Sequence, residues 1–193
     1  MLDGLYINNM PIASHFADWA ADDSLLEAVW TYWSALRGER ACPSRADLDP
    51  ADIPKLLPHI GLIDVEPAPL RFRYRLIGTH MNEMFGEDFT GTYLDAAKGG
   101  NYASFLHDLY AEAALDRRPV YSESVFGYRD RRHLAIRRLV LPLAQSDDAP
   151  VRMLLFSNTF YPRRADTPDV PDTGAPYRAG NIVEIHTLAR RQP

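Results

Sequence analysis

Arg71-Phe72-Arg73-Tyr74-Arg75-Leu76-Ile77-Gly78-Thr79 alternates arginine with large apolar residues before it breaks at glycine. Successive side chains of a strand point to opposite faces. Arg71, Arg73 and Arg75 therefore line one face, and Phe72, Tyr74 and Leu76 the other, as in a half-buried antiparallel strand over 71–77. Gly78 ends the strand, and Thr79 is placed to cap a short helix that carries Met81, Met84 and Phe85 and stops at Gly86. Upstream, Pro67-Ala68-Pro69 reads as a turn. The apolar run over 59–66 then becomes the partner strand of a hairpin.

Working outward, Asp88, Thr90 and Gly91 mark a turn, and Leu94 to Ala97 form one helical turn. Gly99-Gly100 breaks the chain, and a longer helix follows over 101–116 on Phe105, Leu106, Leu109 and Leu115. Pro119 ends it. Strands are expected over 120–128, 133–143 and 151–160, with Pro142 marking a strand end or an edge. Towards the N-terminus, Asp22 or Asp23 caps a helix with Glu27 in its first turns and Gly38 at its end. Its apolar members Leu25, Leu26, Val29, Trp30, Trp33 and Leu36 recur at three- and four-residue steps. Such a stripe needs a large apolar partner, either the domain core or a second copy of the helix. Residues 41–58, with Pro43, Pro50, Pro54 and Pro58, read as a stiff connector with one short helical turn near 50–57. Residues 1–21 read as an irregular arm, 161–181 as loop, and Ile182 to Leu188 as a strand or a short docking helix. This order predicts an α+β fold: a five-stranded antiparallel sheet with helices on one face, plus the N-terminal helix. The chain divides into an arm and helix (1–40), a central domain (41–162) and a C-terminal extension (163–193).

The chain has 193 residues, a net charge of −5, 46% apolar and 24% charged residues. This is the make-up of a globular domain and excludes a disordered chain. A single cysteine, Cys42, excludes a disulfide scaffold. No apolar run is long enough to span a bilayer, so no membrane association is expected, and the start lacks a basic stretch followed by an apolar one. The expected compartment is the cytoplasm. Residues 1–70 hold 11 acidic against 4 basic residues, while 71–193 hold 17 basic against 15 acidic. Neither part is basic enough for a nucleic-acid surface.

Side-chain chemistry narrows the function further. The six histidines, His15, His59, His80, His107, His133 and His186, show no close metal-ligand spacing. Cys42 has no neighbouring base in sequence to make it a nucleophile. No glycine-rich phosphate loop and no Gly-x-Ser-x-Gly elbow occurs. Seven arginines fall within 117–138, as on the solvated face of a sheet. One of them, Arg138, shares its alternation phase with Leu134, Ile136 and Val140, which turns it towards the apolar side. A buried arginine is costly unless an anion, from the protein or from a ligand, lies beside it. Met81, Met84, Phe85, Phe105 and Leu109 are expected to face Tyr74, Leu139, Leu141, Met153 and Leu155, as a packed core or as a pocket.

The element order resembles the PAS fold. Arg45-Ala-Asp-Leu-Asp-Pro50, Ile53-Pro-Lys-Leu-Leu-Pro58, Ile63-Asp-Val-Glu66, Phe72-Arg-Tyr-Arg-Leu-Ile-Gly-Thr79 and Gly86-Glu-Asp-Phe-Thr-Gly91 follow one another over about residues 22–162. This string is similar to a family of small stand-alone PAS-like proteins, mostly alphaproteobacterial. The resemblance implies a sensory or regulatory module that binds a small molecule between sheet and helices and signals through a protein partner or a homodimer contact. The pocket residues would be Tyr74, Met84, Phe85, Phe105, Leu109, Arg138, Met153 and Leu155, and the dimer contact Leu26, Val29, Trp30 and Trp33. In haem-binding PAS domains the long helix carries the axial ligand, which makes His107 the only candidate here and haem a poor expectation. A flavin-adduct photosensor needs a cysteine on the central helices, and 79–100 hold none. Two alternatives stand beside this reading. One is a ligand-free interaction module using the tryptophan helix and the arginine-rich outer sheet face. The other is an enzyme, for which no residue pattern speaks.

Overall fold

The computed structural model describes residues 5–7, 10–11, 23–97, 100–128, 131–165, 167, 185–187 and 189–190. Most of the expected arm and of the expected 161–181 loop, together with Asp22 and Gly99, lies outside them. Within them the elements are α1 (Ser24–Arg37), β1 (Ile60–Pro67), β2 (Leu70–Ile77), α2 (Thr79–Phe85), α3 (Leu94–Ala97), α4 (Gly100–Leu115), β3 (Val120–Val125), β4 (Leu134–Leu143), β5 (Met153–Pro162) and β6 (Ile185–Thr187). Three short 3-10 turns, Arg45–Asp47, Pro50–Asp52 and Leu57–His59, break up the proline-rich connector.

The five expected strands form one antiparallel sheet in the order β2-β1-β5-β4-β3. β6 extends it beyond β3, pairing Ile185 with Ser122, so the described part of the apolar piece near the C-terminus, Ile185–Thr187, is a strand. Leu5–Ile7, Met10–Pro11 and Ala189–Arg190 make a separate three-stranded patch. The first two fall within the stretch read as an irregular arm.

Helices α2 to α4 cover the inner face of the sheet and α1 covers the outer face. Residues 136, 138 and 140 of β4 point inward and 137, 139 and 141 outward, as strand alternation requires. α1 starts where Asp23 accepts from the Leu26 amide at 3.5 Å and ends at Gly38, whose φ of 56° suits glycine. Leu26, Val29, Trp30 and Trp33 are 1–3% exposed within the single chain. The expected dimer stripe is therefore core: the outer sheet face supplies the apolar partner that a second copy would have supplied. Trp33 Nε1 also donates to the Pro142 carbonyl at 3.0 Å. β3 pairs with β4 only as far as Val140, so this carbonyl lies past the end of β3, and Pro142 does sit near a strand end. Trp33→Phe keeps most of the buried ring but leaves that carbonyl without its donor. A loss of about 1–2 kcal/mol is expected in urea unfolding, and an unchanged midpoint would mean that water replaces the indole.

Two local readings change. Leu62 pairs with Leu76 but Ile63 pairs with Tyr74, so Arg75 is an extra residue in the ladder. This bulge reverses the phase after Tyr74. Phe72, Tyr74 and Ile77 are buried, while Leu76 is 44% exposed. Thr79 is the first helical residue of α2 and Gly78 is its cap, with no side-chain bond; the strand runs straight into the helix. Gly86 closes α2 in the left-handed region, as expected.

Candidate functional site

Inside the sheet–helix interior, one side chain breaks the apolar pattern. Arg138 on β4 is 2% exposed. Its Nη1 donates to Ser124 Oγ at 3.0 Å and to Ser122 Oγ at 3.4 Å, and its Nη2 donates to the Tyr102 hydroxyl at 3.0 Å. The guanidinium lies 5.1 Å from the Phe105 ring centre and 5.6 Å from that of Tyr102. Every partner is neutral, and no carboxylate among the described residues pairs with it. Its neighbour Arg137, pointing to the outer face, is placed quite differently. It meets Glu123 at 3.3 Å and Asp23 at 3.5 Å, and it lies over the Tyr161 ring.

The secondary structure explains the grouping. Ser122 stands directly across from Arg138 on β3, with Ser124 two residues on and on the same face. Asn158 faces Arg138 from β5 and is 5% exposed. Tyr102 and Phe105, three residues apart on α4, present one helix face to the guanidinium. Two further phenols, those of Tyr74 and Tyr110, complete the island. Burial holds the Tyr74 hydroxyl well above its ordinary value of 10.0, with the Tyr110 phenol beside it adding to the shift. Burial likewise raises Tyr110. The result is a patch of hydroxyl groups and one cation enclosed by apolar side chains.

Helices α2 to α4 are inserted between β2 and β3, and α4 encloses one face of the sheet. The family description "PAS domain" matches residues 22–156. The chain belongs to the PAS domain family. Comparison with curated proteins and with solved structures gives no match.

The PAS interior gathers some of the sequence-derived candidates and separates others. Tyr74, Phe105, Leu109 and Arg138 share it. Phe85 is buried there too, but at the far end, against Phe126 and Phe160. Met84 is half-buried on α2, and its carbonyl accepts from Arg131. Met153 and Leu155 belong to the opposite face. They pair with Leu143 and Leu141, in the same outward phase as Thr159, which bonds Asp23 at the start of α1. Placing them with Leu139 and Leu141 opposite the helices ran against the phase that Arg138 itself sets. The polar partners Tyr102, Tyr110, Ser122, Ser124 and Asn158 escaped the sequence reading. The signal available was Ser122-x-Ser124, small polar residues two apart in a strand, but only the register puts them beside Arg138.

On the outer face α1 lies over β4 and β5, where Arg137 is 7% exposed, while the side chains of Arg73 and Arg75 on β2 stay 42% and 57% exposed. His107 lines a surface groove of about 360 Å³ with Leu70, Phe72 and Ser104. It meets the Phe72 ring edge-on at 5.3 Å, and its side chain is 43% exposed. Among the described residues no three His, Cys, Asp or Glu side chains converge to hold a metal, and no helix is long and apolar enough to cross a membrane. Cys42 is 1% exposed, and burial pushes its thiol up to about 11. A thiol so placed is protonated and shielded at neutral pH. Cys42 is expected to stay unreacted with Ellman's reagent in the folded chain and to react fully in guanidinium. Rapid native labelling would show that the connector opens.

Proposed function

We propose that this PAS domain works as a sensory or regulatory module. It takes up a small molecule between the sheet and α4, and it passes the change on to a protein partner. The observation that carries the reading is the polar island at Arg138. A core needs no buried cation, and an apolar residue of similar volume is often as stable or more so. A group kept there at such a cost is better explained by something it binds. The route outward is short. Arg138 and Arg137 are consecutive on β4, one facing the interior and the other holding Asp23 at the cap of α1. A ligand that favours one placement of β4 changes how α1 is held, by as much as its affinities for the two states differ.

A native mass spectrum of the full chain, purified without small-molecule additives, tests this reading and gives the oligomeric state as well. A defined extra mass on the folded protein is the expected result. A chain that stays empty after exposure to a metabolite extract would replace this reading with the ligand-free interaction module.

A further inference from the structure

Resting on that reading, we propose that the bound molecule is a small monocarboxylate with an apolar body, and that Arg138 grips its carboxylate. A guanidinium has five N–H groups in a planar fork and no acceptor. Ser122, Ser124 and Tyr102 take three of those of Arg138. Among the described residues Nε meets no acceptor and Nη2 keeps one hydrogen, and the two nitrogens share one edge of the plane. That edge presents the paired geometry a carboxylate accepts. The hydroxyl hydrogens of Tyr102 and Ser122 and the amide of Asn158 likewise meet no acceptor among the described residues. The island is thus rich in donors, poor in acceptors and one positive charge in excess. It asks for an anion that brings oxygen atoms.

Charge matching selects the class. One buried cation neutralises one negative charge. Phosphate, divided between mono- and dianion near neutral pH, would in either form bring more polar or charged oxygens into a water-poor interior than one guanidinium edge can meet, which is costly. The surroundings select the rest of the molecule: the Phe105 ring, Leu109, Ile136 and Val140 are all at most 1% exposed and line the same face. A polar body would lose its hydration there without replacement.

The test is calorimetric titration of the full chain with phenylacetate and octanoate, each compared with its own neutral amide, and with inorganic phosphate. At least one acid should bind, on the order of 30-fold more tightly than its amide, as expected for loss of one partner of a buried charged pair. Phosphate should neither bind nor compete. Arg138→Gln should abolish the preference for acid over amide. If that variant does not fold, Tyr102→Phe serves, because it keeps the ring and removes one hydroxyl; it should weaken the acid on the order of tenfold. Equal affinity for acid and amide, or tighter binding of phosphate than of either acid, overturns the carboxylate assignment and leaves the sensory reading standing. If both acids fail, the native spectrum decides. A bound carboxylic acid upholds the assignment, a bound neutral molecule overturns it alone, and an empty chain overturns both.

Discussion

Gly78→Ala is expected to lower the unfolding free energy by about 3 kcal/mol or more, at or beyond the top of the usual range for overpacking. The backbone angles at Gly78, φ −63° and ψ 150°, are open to any residue, so the demand is for space alone. A Cβ there would lie 2.3 Å from the Pro58 oxygen, 2.5 Å from the Pro58 carbonyl carbon and 2.6 Å from the Leu57 oxygen. All three are backbone atoms and cannot rotate aside. The turn that holds them is tied to the same residue, since the Gly78 amide donates to the Ile60 carbonyl at 2.9 Å. Making room therefore breaks the join between β1, β2 and α2, which positions the whole inner face. For a chain of this size the melting temperature should fall by roughly 6–12 °C. Gly91→Ala is the natural comparison. Gly91 has φ +84° and nothing within 4 Å of the added carbon, so it carries only the left-handed cost of about 1–2 kcal/mol. Urea unfolding of both variants settles the matter: a Gly78→Ala protein no less stable than Gly91→Ala would mean that the Leu57–His59 turn does not pack as described.

What could be read from the chain follows from how local each signal is. The hairpin around Pro67-Ala68-Pro69, the cap at Asp23, the stop at Gly86 and the three late strands rest on short-range alternation and caps, and all are present. Alternation also turned Arg138 inward, because phase along one strand needs no knowledge of its neighbours. The bulge at Arg75 was hidden, because an extra residue in one strand shows only against the register of its partner. The same limit hid Ser122, Asn158 and Tyr102, which reach Arg138 from β3, β5 and α4. A lone amphipathic stripe has no label for what covers it, so Trp30 and Trp33 suited a second copy of the helix as well as the outer sheet face. The misplacement of Met153 and Leu155 was avoidable. Once Arg138 was set inward, Leu139 and Leu141 had to face outward, and their partners on β5 with them.

The buried phenols make the fold sensitive to alkali. Tyr74 and Tyr121 are held well above the ordinary value of 10.0 chiefly by burial, with the Tyr110 phenol acting on the first and the Glu123 carboxylate on the second. Tyr110 is raised by burial as well. The three are 0–4% exposed. Their folded values lie above the unfolded value, so the unfolded chain releases these protons first as pH rises. The stability they contribute is complete below about pH 10 and is lost as pH climbs from there towards the folded values. Each phenol removes about 1.4 kcal/mol per pH unit in that window. Together they remove about 4 kcal/mol per unit, a large part of the 5–15 kcal/mol typical of a native protein. The expected observation is one steep step about one pH unit or more above 10, in which a jump in tyrosinate absorbance at 295 nm, above the gradual ionisation of the other tyrosines, coincides with loss of the far-ultraviolet helix signal. Ionisation of every tyrosine with the helix signal intact would show that these hydroxyls reach water in the folded state. Two of them flank Arg138, so the same experiment repeated with a bound carboxylate bears on the site itself. An anion that closes the interior should move the transition to higher pH, since it binds the folded chain and not the unfolded one.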